Sequence, residues 1–401
     1  MHIVLYNLHV NKPNPVYQEI ACALRRLGHT VWLASLDGAG NLEWHNGERL
    51  VGIHSEPRHL PGWLQRVWLV APILKRILWF NFTLRVRRFL RRAKPDIIQV
   101  NTYRYPWILP LLMPDDMCFI FDIRQINENV GNGFIGRLRN KKMILTMKAC
   151  SRLFYDHACF CHEQAARRII GDIWTKKGTV VPVGIDASFL SLNAFKSGPK
   201  RCENHVRFIY VGTLSRLRNL EKILFAIQQV LTESDRLRVH FVGPDNAHGF
   251  YHKLVDKLAI GSVVTIKPAV PYEEIPSLLA NYDVGLACVP DRPTWRYQPT
   301  IKVLEYRALG MPIISTNVPS HREVIDDQVN GVLVRDSVED MAAAMLRFIR
   351  DQRFLQLCKE NARAMRQGIT WDDVATMYEQ NVYQKLRKND GCDRRDTMKV
   401  T

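Results

Sequence analysis

Several signatures of nucleotide and metal chemistry are missing from this 401-residue sequence. It has no P-loop, no dinucleotide-binding G-x-G-x-x-G and no Asp-x-Asp metal motif, which speaks against P-loop NTPases and dinucleotide-dependent enzymes. Cysteine pairs at zinc spacing are missing as well, because Cys159 and Cys161 share one strand face and have no second pair to complete a site. We expect no bound metal, and we predict that this cysteine run is a buried strand.

A cysteine framework and a signal peptide are also absent. The nine cysteines are scattered along the chain, a pattern that favours free thiols in a reducing compartment. The apolar run His2 to Tyr6 lacks the basic leader and the cleavage site of a secretory signal. We therefore predict that this run is a first strand and that the protein is cytoplasmic.

Acidic residues are missing from two long windows, although the chain as a whole carries a net charge of +17. Neither the window between Glu56 and Asp96 nor the window from Asn129 to Tyr155 contains an acid. Basic residues interrupt every apolar run in these windows before about 18 residues, so neither is predicted to span a bilayer. Residues 60–94 of the first window hold Arg66, Lys75, Arg76, Arg85, Arg87, Arg88, Arg91, Arg92 and Lys94, interleaved with Trp63, Trp68, Trp79, Phe80, Phe82 and Phe89. The second holds Arg137, Arg139, Lys141, Lys142, Lys148 and Arg152.

Aromatic and basic side chains on amphipathic segments are typical of helices that lie in an anionic membrane interface. We predict that residues 60–94 and 137–152 bind an anionic membrane surface, which makes the protein peripheral on the inner face of the cytoplasmic membrane. The alternative is that these helices pack on the first domain with solvated basic faces. No motif for nucleic acid accompanies the charge, so no nucleic-acid partner is predicted.

The length and the alternation of strands and helices predict two α/β domains. We place the first domain at residues 1–190, a linker at 191–205, a second domain at 206–370, a further helix at 371–386 and a disordered tail at 387–401. Strands of the first domain are predicted at 2–6, 30–35, 96–100, 118–122, 158–161 and 179–183. Strands of the second are predicted at 207–211, 238–242, 263–266, 284–287, 313–315 and 332–334.

One short helix of the second domain carries an unexpected charge, Glu305. Thr300 is predicted as the N-cap of this helix, Gly310 as its left-handed C-cap, and Ile301, Leu304, Ala308 and Leu309 as its buried face. Free amides at a helix start bind phosphate, and a carboxylate one turn further can accept two hydrogen bonds from a vicinal diol. The segment therefore predicts a site for a nucleotide diphosphate-sugar, with Thr300, Ile301 and Lys302 meeting the phosphates.

The run from Glu305 to Thr316 resembles the donor signature of GT-B glycosyltransferases of the family 4 type, "E-Y-x-A-x-G-x-P-I-I-x-T". The resemblance implies two Rossmann-like, doubly wound domains that face a cleft, and it implies that Glu305 binds the donor ribose. In relatives the last helix crosses back to the first domain. A second glutamate usually stands eight positions before Glu305, where this sequence has Tyr297, so the donor sugar stays open.

The segment that starts at Gly212 resembles the family's "G-R-L-x-x-x-K-G", whose Arg and Lys bind the donor diphosphate. Arg218 falls on the Lys position, whereas Thr213 stands in place of the Arg, and Arg216 is a candidate for the missing cation. A cation facing the leaving diphosphate would supply electrostatic catalysis without a metal, so no cofactor is expected. By the same resemblance, the backbone of Val270 contacts the nucleotide base.

The first domain offers candidates for a catalytic base at the end of its strand 118–122. Asp122 is the first candidate and Glu128 the second, since an inverting transferase needs a group that deprotonates the acceptor hydroxyl. An Asp that caps a loop at the strand end is the alternative for Asp122. The sequence leaves retention or inversion open.

Taken together, the residues and the resemblance predict an enzyme that moves a sugar from a nucleotide-sugar donor to a lipid-linked or glycan acceptor. The expected setting is the cytoplasmic membrane face, in cell-envelope or exopolysaccharide synthesis. Two alternatives stay open. One is a nucleotide-sugar epimerase of the same fold, and the other is a catalytically inactive scaffold on the membrane.

Overall fold

The computed structural model describes residues 1–6, 15–36, 41–45, 50–55, 80, 83–84, 86–101, 106–113, 117–124, 133–191 and 205–388. Within it the chain forms two compact units. The first unit combines Met1–Val183 with Trp371–Thr401, and the second is Gly184–Thr370. Glu128, the linker up to residue 204, the tail from 389 and most of the window 60–94 lie outside the described residues.

The first unit contains an eight-stranded sheet in the order β4-β3-β2-β1-β5-β6-β7-β8. The β2–β3 and β3–β4 pairs are antiparallel and the remaining neighbours are parallel. The antiparallel pair β3 and β4 was not predicted. The strands are β1 (His2–Tyr6), β2 (Thr30–Leu36), β3 (Asn41–His45), β4 (Leu50–Ser55), β5 (Ile97–Val100), β6 (Cys118–Ile123), β7 (His157–Phe160) and β8 (Gly178–Val180).

Helices of the first unit follow the strands in the order expected of a doubly wound sheet. They are α1 (Pro15–Arg26), α2 (Ile108–Leu112), α3 (Phe134–Leu153), α4 (Glu163–Ile170) and α5 (Trp174–Lys177), and residues 86–93 are also helical. The last part of the chain adds α15 (Trp371–Tyr378), a π-helical turn (Glu379–Tyr383) and α16 (Gln384–Lys388). None of the helices described here is long and apolar enough to cross a membrane.

The π-helical turn places Tyr378 and Tyr383 on one face, because its i→i+5 bonding brings residues five apart together. Their rings stack with centroids 5.7 Å apart. The Tyr378 hydroxyl donates to Asp122 Oδ2 at 3.0 Å, and the Tyr383 hydroxyl donates to Gln99 Oε1 at 2.6 Å. Residues 371–388 are therefore anchored to the carboxyl ends of β5 and β6.

The second unit contains a six-stranded parallel sheet in the order β11-β10-β9-β12-β13-β14. All six strands predicted for this region are present: β9 (Val206–Val211), β10 (Leu237–Val242), β11 (Val264–Lys267), β12 (Val284–Ala287), β13 (Ile313–Thr316) and β14 (Gly331–Val334). Its helices are α6 (Ser188–Ser191), α7 (Glu221–Leu231), α8 (Phe250–Lys257), α9 (Ile275–Leu279), α10 (Pro293–Arg296), α11 (Ile301–Leu309), α12 (Pro319–Arg322), α13 (Val338–Arg350) and α14 (Gln352–Ala364).

Alternate residues of β9 enter two separate cores, which shows that helices cover both faces of this sheet. Phe208 and Tyr210 pack with α7 and α13, whereas Ile209 and Val211 pack with α11. This alternation is what a parallel sheet buried on both sides requires. Phe189 of α6 belongs to the second of these cores, so the second unit begins at Gly184 and not after the predicted boundary at residue 190.

Candidate functional site

The start of α11 is built differently from an ordinary helix N-terminus. Thr300 is the N-cap and Gly310 the left-handed C-cap, with φ 72° and ψ 39°, which confirms both predicted ends. The Thr300 side chain, however, makes no capping hydrogen bond. Its Oγ1 is buried and has no partner among the described residues. A buried hydroxyl without a partner costs free energy, so it marks a place where a ligand can bind.

The buried face of α11 agrees with the prediction only in part, because Ala308 and Leu309 are buried while Ile301 and Leu304 are only partly so. The other buried residues of the helix are Lys302, Val303, Glu305 and Tyr306. The helix is held in this rotation by Tyr306, whose hydroxyl accepts the backbone N–H of Val211 at 3.1 Å. Two charged side chains therefore lie inside the second unit, where unpaired charges are rare.

Lys302 is the more unusual of the two, since only 6% of it is exposed. Its Nζ lies 3.3 Å from the centroid of the Tyr210 ring and has no hydrogen-bond partner among the described residues. Burial lowers the pKa of Lys302 well below its ordinary value, and the neighbouring charge of Arg218 lowers it further. A bound anion would therefore supply the hydrogen-bond partner that the Lys302 ammonium lacks among the described residues.

Arg218 is the second cation at this place. Its guanidinium lies 5.2 Å from the centroid of the Trp295 ring, and its Nη1 is a third buried polar atom that has no partner in the part of the chain that the structure describes. Both Arg218 and Lys302 lie close to Tyr210. Burial raises the pKa of Tyr210 to about 12, and the neighbouring Arg218 opposes this rise. Two cations are thus held close together at the start of one helix.

Gly212 has no side chain, and the ammonium of Lys302 occupies the space beside it. It follows β9 with φ 137°, and a Cβ at this position would lie 3.2 Å from Lys302 Nζ. A side chain here would be strained by its backbone and would press on the ammonium. The glycine that opens the predicted diphosphate-binding segment therefore also leaves space for the lysine.

Glu305 lies one turn after Lys302, with 5% of the residue exposed. Burial raises the pKa of Glu305 to about 7, and the hydrogen bond from Tyr272 and the charge of Lys302 oppose the rise. The Tyr272 hydroxyl donates to Glu305 Oε1 at 2.9 Å. This carboxyl group is poised between its neutral and charged forms near pH 7.

Two further residues named from the sequence lie in the second unit. Val270, the predicted base contact, packs beside the α11 core, and Tyr297, which stands in place of the family's second glutamate, is half-buried in the segment before α11. Arg216 is directed elsewhere, since its guanidinium lies 3.6 Å from the Phe250 ring centroid and 3.7 Å from Glu221. Lys302 and Arg218 are thus the two cations beside the start of α11, and a role for Arg216 as the missing cation of the motif stays a prediction.

Two family models together match most of the chain, each over a different half. The model described as glycosyl transferases group 1 matches residues 194–365, and the model described as glycosyl transferase 4-like domain matches residues 13–184. The chain is a group 1 glycosyltransferase of the GT-B fold. The predicted family, fold class and enzyme class are confirmed.

The relatives of this glycosyltransferase resemble it weakly. A D-inositol 3-phosphate glycosyltransferase from Geodermatophilus obscurus is 25% identical over 209 residues, covering 49% of this chain and 45% of that protein. An MMP alpha-(1->4)-mannosyltransferase from Mycolicibacterium hassiacum is 24% identical over 199 residues, covering 49% of this chain and 46% of that protein. The chain thus matches about half the length of these relatives.

Solved structures share the fold of this glycosyltransferase. A sucrose-phosphate synthase from Thermosynechococcus elongatus superposes with a TM-score of 0.72 at 16% identity, covering 97% of this chain and 99% of that one. Anabaena Alr3699/HepE in complex with UDP and glucose gives a TM-score of 0.62 at 16% identity, covering 96% and 99% of the two chains. At this identity the likeness concerns the fold.

Asp122, the first candidate for the catalytic base, is completely buried in the first unit of this glycosyltransferase. Its Oδ2 accepts hydrogen bonds from Tyr17, from Gln99 at 2.7 Å and from Tyr378 at 3.0 Å, and pairs with Arg124 at 3.2 Å. All four partners are side chains that support the end of the sheet, and the other oxygen, Oδ1, is buried without a partner among the described residues. The loop-capping alternative and the role as base stay predictions for Asp122, as the role as base does for Glu128.

Proposed function

We propose that the second unit binds a nucleotide diphosphate-sugar and that the enzyme transfers its sugar to a lipid-linked acceptor. The observation that carries the proposal is a set of buried polar atoms at the start of α11 that have no partner among the described residues: Lys302 Nζ, Arg218 Nη1 and Thr300 Oγ1. Two cations, a hydroxyl and free amides of a helix N-terminus suit a diphosphate. Glu305 lies one turn further, where the ribose hydroxyls would follow.

In the proposed reaction the bond between the sugar and the diphosphate breaks, and negative charge develops on the leaving diphosphate. Lys302 and Arg218 would stabilise this charge in a site that excludes much of the water. The diphosphate would in turn favour the protonated form of Lys302, whose pKa burial lowers in the protein alone. Because these cations take the place of a metal ion, activity is expected to persist in EDTA.

The structures of HepE support the choice of donor class, since that protein was solved with UDP and with UDP-glucose. To test the choice, the full chain is screened by thermal shift and calorimetry against UDP, GDP, ADP and their sugars. At least one nucleoside diphosphate should raise the melting temperature, and its sugar should be consumed only with acceptor present. Conversion of the donor without acceptor would point to an epimerase, and no binding by any nucleotide would overturn the proposal.

The acceptor side of the proposal rests on α3, the one described helix of the second basic window. Four large apolar side chains of α3, Phe134, Leu138, Leu145 and Leu153, are 54–75% exposed. At 100° per residue, the first three lie within about 40° of one another. The helix has no acid, and its basic residues border this stripe on both sides. We propose that α3 lies in the surface of an anionic membrane.

The same proposal gives α3 a place beside the acceptor's lipid, at the inner face of the cytoplasmic membrane. Apolar side chains would enter the boundary between headgroups and acyl chains, while Arg137, Lys141, Lys142 and Lys148 would meet anionic headgroups. In the helical residues 86–93 of the first unit, Arg88, Arg91 and Arg92 are also exposed. An envelope or exopolysaccharide product follows from a lipid-linked acceptor.

Vesicle sedimentation tests the membrane part. The double variant Leu138→Ser/Leu145→Ser should lose about tenfold in binding to phosphatidylglycerol vesicles, because each substitution takes away apolar area that the leucine would bury in the membrane surface. Lys141→Gln/Lys142→Gln should lose at least as much, at about 1 kcal/mol per charge near the surface. Leu357→Ser is the matched control, since Leu357 is 50% exposed on α14 of the second unit. Equal binding to neutral phosphatidylcholine vesicles, or equal loss in the control, would contradict the proposal.

A further inference from the structure

A buried histidine contacts the N-cap residue of α11. His321 of α12 is completely buried, and its Nε2 lies 3.4 Å from the backbone nitrogen of Thr300. On its other side, Nδ1 lies 2.6 Å from Ser315 Oγ, and this hydroxyl donates to the carbonyl of Ala287 at 3.2 Å. One chain of hydrogen bonds thus runs from α11 through α12 and β13 to the end of β12.

The donors and acceptors of this chain fix the form of the ring. A backbone N–H can only donate, so Nε2 must accept from Thr300 and the ring proton must sit on Nδ1. The Nδ1–H then donates to Ser315 Oγ, which leaves the serine proton for Ala287. Burial lowers the pKa of His321 to about 4, and the charge of Lys302 lowers it further. The ring is therefore neutral near pH 7 and does not add a third cation beside Lys302 and Arg218.

The contact between His321 and Thr300 affects which polar groups at the start of α11 are left to bind a ligand. The backbone N–H of Thr300 is used by His321, whereas its Oγ1 stays without a partner among the described residues. With the backbone of this residue held in place, the hydroxyl and the following amides keep one orientation. Preorganised donors bind an anion more strongly than donors that must first be ordered.

We propose that His321 is a positioning residue for the donor diphosphate, acting through the backbone of Thr300. The proposal rests on the function proposed above, since it assumes that the start of α11 receives the diphosphate. His321 would touch neither donor nor acceptor. Its effect would appear in nucleotide affinity, and it would depend on which of its two hydrogen bonds is kept.

Two substitutions separate the two bonds. In His321→Gln, the longer amide side chain can place its oxygen where Nε2 lies and so keep the contact with Thr300. In His321→Asn, the shorter amide can replace Nδ1 beside Ser315 and leaves the Thr300 N–H without an acceptor. Both variants remove a buried ring, so a purely structural role would weaken both alike. A positioning role predicts that His321→Gln is rescued and His321→Asn is not.

The experiment measures binding of UDP, GDP and ADP to the full chain by calorimetry, with thermal unfolding of each variant alongside. For the nucleotide that binds, His321→Asn should weaken affinity about tenfold and His321→Gln less than about threefold, as expected for one hydrogen bond. Ser315→Ala keeps the ring and removes only its anchor. It should weaken affinity about threefold, and it serves as the test if the His321 variants do not fold.

Each outcome has its own meaning. If the unmodified chain binds none of the nucleotides, the proposed function fails and this proposal fails with it. If it binds one of them, and the folded His321→Asn variant binds as tightly or the two His321 variants lose affinity equally, only the positioning role is overturned. Should the His321 variants not fold, unchanged affinity in Ser315→Ala would overturn it as well.

Discussion

Glu305→Ala is expected to weaken nucleoside diphosphate binding by about a hundredfold or more while the second unit stays folded. A carboxylate that accepts two ribose hydroxyls contributes about 1.5–3 kcal/mol for each hydrogen bond to the charged group. The fold itself depends less on this charge, because burial raises the pKa of Glu305 to about 7 and so disfavours the ionised form. Calorimetric titration of the full chain measures the loss, and thermal unfolding checks the fold.

The matched control is Glu360→Ala, which removes an exposed glutamate from α14 in the same unit. It should leave nucleotide affinity unchanged. Unchanged affinity in Glu305→Ala would instead remove Glu305 from the site. Glu305→Ala would equally be uninformative about the ribose if it unfolded, so Glu305→Gln, which keeps the volume of the side chain, is measured beside it and should also bind more weakly.

The pH dependence of stability gives an independent check on Glu305. Its pKa is about 7 in the folded chain against 4.5 for the free group, so the folded state binds more protons between these values. The free energy of unfolding therefore falls as pH rises through this window, and the cost of ionisation is fully present above pH 7. Glu305→Gln removes the cost, and urea unfolding should show a larger gain, about 1–3 kcal/mol, at pH 8 than at pH 5.

The ends of α11 could be predicted from the sequence because they depend on local chemistry. Thr300 and Gly310 are the residue types that helix caps select, and the structure confirms both. The rotation of the helix could not be predicted in the same way. Apolar residues lie on almost every side of α11, so their spacing selects no face, and the rotation is decided by the distant bond between Tyr306 and Val211.

The residues missed at the site share one property, since each reaches α11 from far along the chain. Tyr272 meets Glu305 from before α9, and His321 meets Thr300 from α12. Nothing local marks them as ligands or supports. The missed strands β3 and β4 are different, because Asn46-Gly47 between two alternating segments is a strong hairpin signal. The hairpin of β3 and β4 could therefore have been predicted from local sequence.

Lys302→Met is expected to change activity and stability in opposite directions. Transfer should slow about a hundred- to a thousandfold, the usual effect of removing one group that stabilises developing negative charge. The unliganded protein should become more stable, since methionine packs well against an aromatic ring and the buried ammonium is lost. A gain of about 1 kcal/mol would raise the melting temperature by about 2–4 °C in a domain of this size.

The stability gain of Lys302→Met should depend on pH, because the pKa of Lys302 is lowered in the folded chain, against 10.5 for the free group. The unfolded state binds more protons between these values, so the stability of the unmodified protein rises with pH in this window. The advantage of Lys302→Met should therefore shrink as pH approaches 10.5. Lys257→Met, at an exposed lysine of α8, is the control and should change neither quantity. A variant at Lys302 that kept full activity, or lost stability at pH 7, would show that the lysine belongs to the fold and not to the donor site.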